Sequence, residues 1–373
     1  MIAARRAVVW LGLLAALLVV SVPRAATATG LKAAFADVAS SPRVSTAGSA
    51  RCNLNRLIRG RWPTRCWRPY KATSPFNQPI PAGARVVPDS AQIVAKLMSF
   101  GPVDNLVVGQ ADTPDDYSHP VYFSRRSDPV FGLHCSESWG RCSIEGKRIR
   151  VPDAARPAAG DDGHLTVITP TGWEYDFWRV ESKPRGGGTL VSSWGGRTRI
   201  HGDGRRSGGT ASGFGNVAGI IRAGELESGR INHALFMTAS CDAGRWVYPA
   251  VKSGGSCGQS ERYGAPPMGV RLQLAMSSAQ IDALSVPRWK KTILRAMARY
   301  GLYLGDTGGD AWGIQLESGS SFTSFGRADP LVAFARKNGW RSSGGRYSAT
   351  LRDGVDWARY LRVIDPCVTQ RSC

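Results

Sequence analysis

The 373-residue sequence predicts a mainly β fold, an antiparallel β-sandwich that is jelly-roll-like and has a few peripheral helices. Many short segments alternate apolar and polar side chains, which is the period of a half-buried strand. Glycine and proline are abundant, with 44 and 22 residues, and both disfavour long helices. Glycine-rich turns separate the strands. These features favour layered sheets over a helical bundle.

Two segments have the apolar spacing of amphipathic helices, over residues 90–100 and 287–300, and Gly301 is a stop signal for the second. The remaining periodic segments predict strands. These cover residues 105–108, 119–123, 164–168, 173–180, 189–194, 197–201, 231–237, 270–274, 302–304 and 312–316.

The first 28 residues have the pattern of a secretion signal. Arg5 and Arg6 precede an apolar run over residues 7–20, and small residues suitable for cleavage follow. The run is shorter than the roughly 20 residues of a membrane span, so we expect no stable membrane insertion after cleavage. We expect a flexible linker over 29–50, a basic disulfide-bridged segment over 51–70, and a single β-rich domain over 71–373.

Eight cysteines fit an exported protein, because an even number of cysteines in an oxidising compartment forms disulfides. The sequence allows many pairings, and we expect that of nearest neighbours. No Cys or His block has the spacing of a zinc site. The expected pairs are Cys52 and Cys66, Cys135 and Cys142, Cys241 and Cys257, and Cys367 and Cys373.

The formal net charge of +20, from 48 basic and 28 acidic residues, suggests an anionic partner. Arginines crowd residues 51–68 beside Trp62, Trp67 and Tyr70, a mixture that nucleic acid could bind. Secretion argues against nucleic acid, so we expect an acidic or neutral polysaccharide or an anionic cell wall. The alternative is that arginine serves only solubility.

The segment Glu174-Tyr175-Asp176-Phe177-Trp178 is the most informative strand. Alternation puts Glu174, Asp176 and Trp178 on one face and the two intervening rings on the other. The two carboxylates are about 6.6 Å apart at Cα for a rise of about 3.3 Å per residue. Glycoside hydrolysis uses carboxyl groups about 5–9.5 Å apart, and an indole can stack on a sugar ring. The alternative is an exposed acidic face without function.

A second group of candidates lies in residues 222–236. Arg222 and Glu225 precede an apolar run that His233 interrupts. Glu225 would fix the tautomer of His233 and make it an acid, a base or an orienting group. A buried histidine with only a structural role is the alternative.

His201 and Asp203 open a segment, residues 195–219, in which nine of 25 residues are glycine. They would bind a substrate hydroxyl or a metal, and a plain turn is the alternative. Asp306 and Asp310 were considered as calcium ligands, but two carboxylates do not form an EF-type loop, so we expect no cofactor.

Three blocks, Glu174–Trp178, Glu225–Phe236 and Lys290–Asp306, resemble those of a functionally unnamed family of secreted actinobacterial proteins. The first reads EYDFW and the second ELxxGxIxHAL. The similarity covers about Ser74 to Cys367. The resemblance implies one domain family over that stretch and implies no catalytic assignment.

The sequence therefore predicts a secreted enzyme that cleaves an acidic glycan by glycoside hydrolysis. Asp176 and Glu225 would be the acid/base carboxylates, and His233 the orienting group or proton shuttle. Two alternatives remain open: a polysaccharide lyase acting beside a uronate, with His233 or a tyrosine as base, and a non-catalytic lectin-like or cell-wall-binding protein. The residues expected to bind substrate are Glu174, Trp178, Arg222, His201 and Asp203.

Overall fold

The protein is described by a computed structural model over residues 68–309 and 311–373. The expected signal, the linker and nearly all of the basic segment, with Cys52 and Cys66, lie outside the described residues. The described part belongs to one compact unit and is mainly β. Its strands are β1 (Leu106–Val108), β2 (Val121–Phe123), β3 (Val130–Cys135), β4 (Arg148–Arg150), β5 (Leu165–Ile168), β6 (Trp173–Ser182), β7 (Gly188–Arg199), β8 (Leu235–Ala239), β9 (Arg271–Leu274), β10 (Leu302–Thr307), β11 (Trp312–Ile314), β12 (Arg341–Ser343), β13 (Arg346–Ala349) and β14 (Leu361–Ile364).

The helices of the described part are short, and the longest has 12 residues. A single 3-10 turn over Pro75–Asn77 precedes them. The α-helices are α1 (Ser90–Ser99), α2 (Ala223–Ser228), α3 (Ser278–Ala283), α4 (Arg288–Arg299), α5 (Ser320–Thr323), α6 (Pro330–Lys337), α7 (Trp357–Tyr360) and α8 (Pro366–Gln370).

The strands form three sheets. The six-stranded sheet has the order β2-β5-β6-β7-β3-β4, the five-stranded sheet β11-β8-β10-β9-β14, and the small sheet β1-β13-β12. The mainly β class is confirmed. The expectation of purely antiparallel sheets is wrong, because β2 pairs parallel with β5, β3 with β7, and β8 with β10. Alternation of side chains is the same in both kinds of ladder, so the pattern alone could not distinguish them.

Strand β6 separates two different environments. Tyr175 and Phe177 point into an apolar cluster on one side of the six-stranded sheet, as alternation predicts. Burial of a ring such as Phe177 contributes about 1.5–3 kcal/mol. On the other side of the sheet, Ile168 packs with Phe236 and Leu304 of the five-stranded sheet in the larger cluster. The two larger sheets therefore share a core.

Most predicted elements are present with shifted ends. The two predicted helices are α1 and α4, and the predicted strands 189–194 and 197–201 are one strand, β7. Residues 223–228, for which no element was predicted, form helix α2, because Glu225 accepts hydrogen bonds from the backbone and side chain of Arg222 and closes the first turn. Strand β3 and helix α6 were not predicted.

Three of the expected disulfides are confirmed: Cys135–Cys142, Cys241–Cys257 and Cys367–Cys373. Each closes a short stretch of chain, with sequence separations of 7, 16 and 6 residues. Among the described helices, none combines the length and apolar character that crossing a bilayer requires.

Strand β7 has no room for a side chain at Gly196. A Cβ at Gly196 would coincide with the carbonyl oxygen of Ser207, because the segment after β7 folds back onto the strand. Gly196→Ala should therefore lower the free energy of unfolding by at least about 2–3 kcal/mol, since the backbone of residue 207 must move. Urea denaturation measures this change.

Gly224→Ala is the matched control, because Gly224 lies in α2 with no atom near the position of a Cβ. It should change stability by less than about 1 kcal/mol, with stabilisation favoured by helix propensity. Equal effects of the two substitutions would contradict the close packing of residue 207 on β7.

Candidate functional site

A cleft of about 350 Å³ opens where the six-stranded and five-stranded sheets meet. This is within the usual size range of ligand sites. Aromatic rings, two carboxyl groups and one amine line it, together with glycine-rich backbone. The lining residues are Trp139, Asp162, Trp178, Trp194, Gly208, Gly209, Thr210, Ala211, Lys252, Ser253, Gly254, Gly255, Asp306 and Thr307.

Three tryptophans form one side of the cleft, which we call the tryptophan wall. Trp178 of β6 and Trp194 of β7 are cross-strand partners in the sheet register. The ring of Trp139 lies 5.5 Å from that of Trp178 and 5.8 Å from that of Trp194, tilted by 39° and 33°. Indole faces of this kind suit the apolar faces of sugar rings.

Trp139 owes its position to a disulfide. It lies in the loop that Cys135–Cys142 closes directly after β3, and it is 63% exposed. An exposed ring on an unrestrained loop would lose much side-chain and backbone freedom on binding a ligand. The disulfide reduces that loss in advance.

Asp162 provides the first carboxyl group of the cleft. It precedes β5, and its Oδ1 accepts a hydrogen bond of 3.0 Å from the indole Nε1 of Trp178. The backbone carbonyl of Asp162 accepts from the amide of Arg179 at 2.7 Å, so main chain and side chain are both anchored to β6. Its side chain remains 43% exposed and accessible to a ligand.

Asp306 provides the second carboxyl group, near the end of β10. The register between β10 and β8 shifts between Leu304 and Asp306, a bulge that redirects the side chain of Asp306. A side chain at Gly305 would overlap the ring of Phe236, so only glycine fits at this bulge. The carboxylate accepts a hydrogen bond from the backbone amide of Thr307 at 2.9 Å.

Asp306 has the proton affinity of a general acid. Burial raises the pKa of Asp306 to about 7, the hydrogen bond from the Thr307 amide opposes this rise, and the charge of Asp162 reinforces it. Two carboxyl groups in one cleft whose surroundings differ are the pattern expected of an acid/base pair.

Residues 252–255 also line the cleft. They belong to residues 241–257, which we call the cysteine-bridged loop because Cys241–Cys257 closes it. Asp242, fully buried, accepts hydrogen bonds from Ser253 Oγ at 2.9 Å and from the Gly254 amide at 3.2 Å. The Oγ1 of Thr307 donates to the carbonyl oxygen of Gly254 at 3.1 Å. The loop is thus tied to itself and to β10.

The predicted carboxylates Glu174 and Asp176 lie below the cleft and are fully buried. The glycine-rich segment 202–219 covers them: a Cβ at Gly209 would lie 2.6 Å from Asp176 Cβ, and one at Gly215 would lie 2.6 Å from Glu174 Oε1. Along this face of β6, only Trp178 reaches the cleft. Glu174, Asp176 and Trp178 do lie on one face of β6, as predicted. Because both carboxylates are buried, the structure does not support the interpretation that they contact substrate.

Asp176 and Glu174 each have their own hydrogen-bond donors. Thr166 Oγ1 donates to Asp176 Oδ1 at 2.9 Å, and Ser207 Oγ donates to Asp176 Oδ2. Tyr70 Oη donates to Glu174 Oε2 at 2.8 Å, and the Val217 amide donates to Oε1 at 3.1 Å. The pair therefore joins strands β5 and β6 to the covering segment.

The two buried carboxyl groups hold protons more tightly than ordinary ones. Burial raises the pKa of Asp176 to about 6. Burial, and next the negative charge of Asp176, raise the pKa of Glu174 well above its usual value.

Two neutral histidines lie behind Asp162. The rings of His119 and His164 are 4.7 Å apart, and His164 Nε2 lies 4.0 Å from Asp162 Oδ2. Burial, and next the charge of His164, lower the pKa of His119 to about 3, and burial lowers that of His164 to about 4. Because both imidazole rings are uncharged, they add no positive charge beside Asp162.

The structure brings Glu225 and His233 together, as the sequence predicts, but places them with Arg222 rather than with Asp176. His233 Nε2 lies 2.9 Å from Glu225 Oε1, and Arg222 Nη2 donates to the same oxygen at 2.5 Å. Burial alone would raise the pKa of Glu225, but the charges of Arg222 and His233 outweigh it and hold it well below its ordinary range. The ionised carboxylate of Glu225, which is paired with both Arg222 and His233, therefore connects α2 to the residues that precede β8.

His201 is exposed and Asp203 is half-buried at the turn after β7, and neither is among the residues that line the cleft. Asp203 Oδ1 accepts a hydrogen bond from the backbone amide of Arg205 at 3.1 Å, and Oδ2 lies 3.8 Å from the guanidinium of the same residue. These contacts are those of a local turn.

A larger groove of about 890 Å³ lies elsewhere on the six-stranded sheet. Two of its cations are already engaged, because Arg156 pairs with Asp112 at 2.7 Å and Lys183 donates to the carbonyl oxygen of Asp153 at 2.9 Å. It lacks a tryptophan side chain among its lining residues. The smaller cleft is therefore the better candidate site.

The sequence interpretation missed Asp162, Asp306, Lys252, Trp139 and Trp194 as members of one site. The Gly-Asp pair at 305–306 inside an apolar strand was the available signal, since a glycine there suggests a bulge. Over residues 68–309 and 311–373, no group of three or more His, Cys, Asp or Glu side chains is arranged to hold a metal ion.

The buried carboxyl pair predicts an unusual pH dependence of stability. Because burial raises the pKa of Asp176 from 3.8 to about 6, the folded protein keeps a proton that the unfolded chain loses. The stability that this group contributes is complete below about pH 4 and is lost as pH rises through about 6, at no more than about 1.4 kcal/mol per pH unit. The unfolding free energy of the wild type relative to Asp176→Asn should therefore fall over that interval.

Urea denaturation between pH 4 and pH 7 measures this difference, and Asp161→Asn, at an exposed neighbouring carboxyl group, is the control. A difference between wild type and Asp176→Asn that grows with rising pH would mean that the fold stabilises the ionised carboxylate instead.

Comparisons of the chain with protein families, with characterised proteins and with solved structures gave no match. The resemblance to secreted actinobacterial proteins therefore stays a prediction. The chemistry of the cleft has to be argued from its own residues.

Proposed function

We propose that this protein is a secreted enzyme that cleaves a polysaccharide, and that the cleft bounded by the tryptophan wall, Asp162 and Asp306 is its active site. The single observation that carries the proposal is Asp306, a carboxyl group with its pKa raised to about 7, in a cleft that also holds a second carboxyl group and three indole rings. Acid/base cleavage of a glycosidic bond uses these components.

Asp306 would donate its proton to the oxygen of the leaving sugar. At neutral pH about half or more of a group with this pKa is protonated, so the donor is present when the substrate arrives. Asp162, fixed by the indole N–H of Trp178, would act as the base that activates water or as the nucleophile. Whether the anomeric configuration is inverted or retained distinguishes these two roles.

The tryptophan wall would hold the sugar rings against the carboxyl groups. Stacking on Trp178 and Trp139 positions a ring by its apolar face and leaves its hydroxyl groups free for polar contacts. The three disulfides support secretion, because such bonds persist in oxidising compartments. We also propose that the two larger sheets form a sandwich, which their shared apolar cluster supports.

One experiment distinguishes a hydrolase from a lyase and from a non-catalytic binding protein. The purified protein is incubated with acidic and neutral glycans, and the products are followed by new reducing ends and by the absorbance of unsaturated uronate. Reducing ends alone support hydrolysis, and both signals together identify a lyase. Retention on a glycan without either signal identifies a lectin-like or cell-wall-binding protein.

Asp306→Asn should lower the cleavage rate at least about 100-fold, because the amide has no proton to donate. Wild-type activity should fall as pH rises through about 7, since deprotonation removes the acid. Initial rates against pH measure both effects, and Asp161→Asn should leave the rate unchanged.

The same assay separates the cleft from the carboxylates that the sequence favoured. If Asp306→Asn keeps its activity while Glu225→Gln or Asp176→Asn loses it in folded protein, the chemistry lies near α2 or β6 and the cleft assignment is wrong. Circular dichroism and the melting temperature establish that each variant is folded.

Removal of the disulfide that holds Trp139 should weaken glycan binding. In Cys135→Ala/Cys142→Ala the loop is released, and binding must then order both the loop and the ring, which predicts a loss of about three- to tenfold in affinity. Titration of the intrinsic tryptophan fluorescence with a glycan that the wild type binds measures the change.

Cys367→Ala/Cys373→Ala is the control, because that disulfide closes a stretch of similar length at α8 and its cysteines do not line the cleft. It should leave the affinity unchanged. An equal loss of affinity in both double variants would indicate a general loss of stability and not a specific effect on Trp139.

A further inference from the structure

Lys252 lines the same cleft as the three indole rings of the tryptophan wall. Its position is set by its neighbours in the cysteine-bridged loop. The amide of Val251 donates to the carbonyl oxygen of Ser212 at 3.0 Å, and Ser253 Oγ and the Gly254 amide donate to the carboxylate of Asp242. The backbone that carries the flexible side chain of Lys252 is therefore restrained. Such restraint holds a binding group in place before its ligand binds.

Among the described residues, the Nζ atom of Lys252 makes no hydrogen bond and no ion pair in the structure, although the side chain is half-buried. By contrast, the ammonium groups of Lys290 and Lys183 donate to the backbone carbonyl oxygens of Asp353 and Asp153. A half-buried ammonium with unused donors is suited to accept an anionic ligand.

The carboxyl group whose charge acts on Lys252 is that of Asp306, and it is only partly ionised near neutral pH. Burial lowers the pKa of Lys252, and Asp306 opposes that shift. Because burial raises the pKa of Asp306 to about 7, this carboxyl group is largely protonated below that pH. Below that pH the ammonium of Lys252 lies beside an uncharged carboxyl group. Its attraction for an anion is stronger in this partly desolvated cleft than it would be in water.

We propose that Lys252 forms a subsite for the carboxylate of a hexuronic acid residue, so that the substrate of the cleft is a uronate-containing polysaccharide. The inference rests on the proposed function and adds the substrate class. A pyranose ring stacked on Trp178 would present its ring substituents towards the cysteine-bridged loop across a cleft of about 350 Å³. A single ammonium suits one carboxylate, whereas phosphate sites usually combine arginine forks or amide cradles.

This subsite replaces the role expected of Arg222. The guanidinium of Arg222 is engaged with Glu225 and lies outside the cleft lining, so it is not placed to bind substrate there. Lys252 supplies a positive group within the cleft lining that includes the tryptophan wall.

The test measures binding without turnover, in the Asp306→Asn background, which mimics the protonated carboxyl group. The probes are oligogalacturonate and oligomannuronate, each paired with the same oligosaccharide after reduction of its carboxyl groups to alcohols. Isothermal titration calorimetry should show at least about tenfold tighter binding of one oligouronate than of its reduced counterpart, since a charge-assisted hydrogen bond discriminates by about that factor.

Adding Lys252→Gln should remove that preference by weakening oligouronate binding at least about tenfold, with the reduced counterpart unaffected. Lys252→Arg should retain most of the preference, because it keeps the charge. Lys183→Gln, at a lysine outside the cleft, is the control.

The outcomes separate the two proposals. If the background protein binds none of these glycans or neutral ones, the proposed function fails. If it binds glycans but Lys252→Gln keeps the preference for uronate, the function stands and the Lys252 subsite is wrong. A stronger Lys252-dependent response to a sulfated neutral oligosaccharide than to any oligouronate would overturn the carboxylate assignment as well.

Discussion

The burial of Asp176 under the glycine-rich segment 202–219 is the constraint on which the cleft depends. The carboxyl group accepts hydrogen bonds from Thr166 on β5 and from Ser207 on the covering segment, so it joins the sheet to the chain that crosses it. Gly209 can then lie directly on Asp176 and serve as cleft floor. A buried carboxyl group without these donors would cost several kcal/mol, at about 1–3 kcal/mol for each unsatisfied polar group or more if charged. The floor of the cleft therefore stays in place only while this small network is complete.

Local restraints also hold the walls of the cleft in place. One disulfide holds the loop of Trp139, and another closes the cysteine-bridged loop that carries Lys252. The bulge at Gly305 turns Asp306 towards both. Each functional group stands on a short irregular segment that a rigid strand, a disulfide or a buried hydrogen bond restrains. The loops carry side chains into the cleft, and the sheets fix the positions of those loops.

The sequence was sufficient for the parts that depend on local pattern. Alternation along β6 correctly separated Trp178 from Phe177, and cysteine spacing gave three disulfides. It was insufficient wherever two distant segments had to be paired. Asp162 and Asp306 meet because β8 and β10 run parallel while β6 pairs antiparallel with β5, and side-chain periodicity does not encode the direction of a neighbouring strand. Nor does periodicity show that a glycine-rich segment covers Asp176.

The net charge of +20 does not by itself define an anion-binding surface. Arg197 and Arg199 both lie over the Trp173 ring, with the guanidinium carbons 4.1 and 3.8 Å from its centroid, and so pack on β6. Arg271 is buried and donates to the carbonyl oxygen of Tyr300 at 3.0 Å. Such cations are either solvated or already paired, and both conditions weaken their pull on a ligand. Lys252 differs because its donors are unused, water has limited access to it, and its acidic neighbour holds a proton near neutrality. One such ammonium is therefore better placed to attract an anionic ligand of the cleft than many arginines on the open surface.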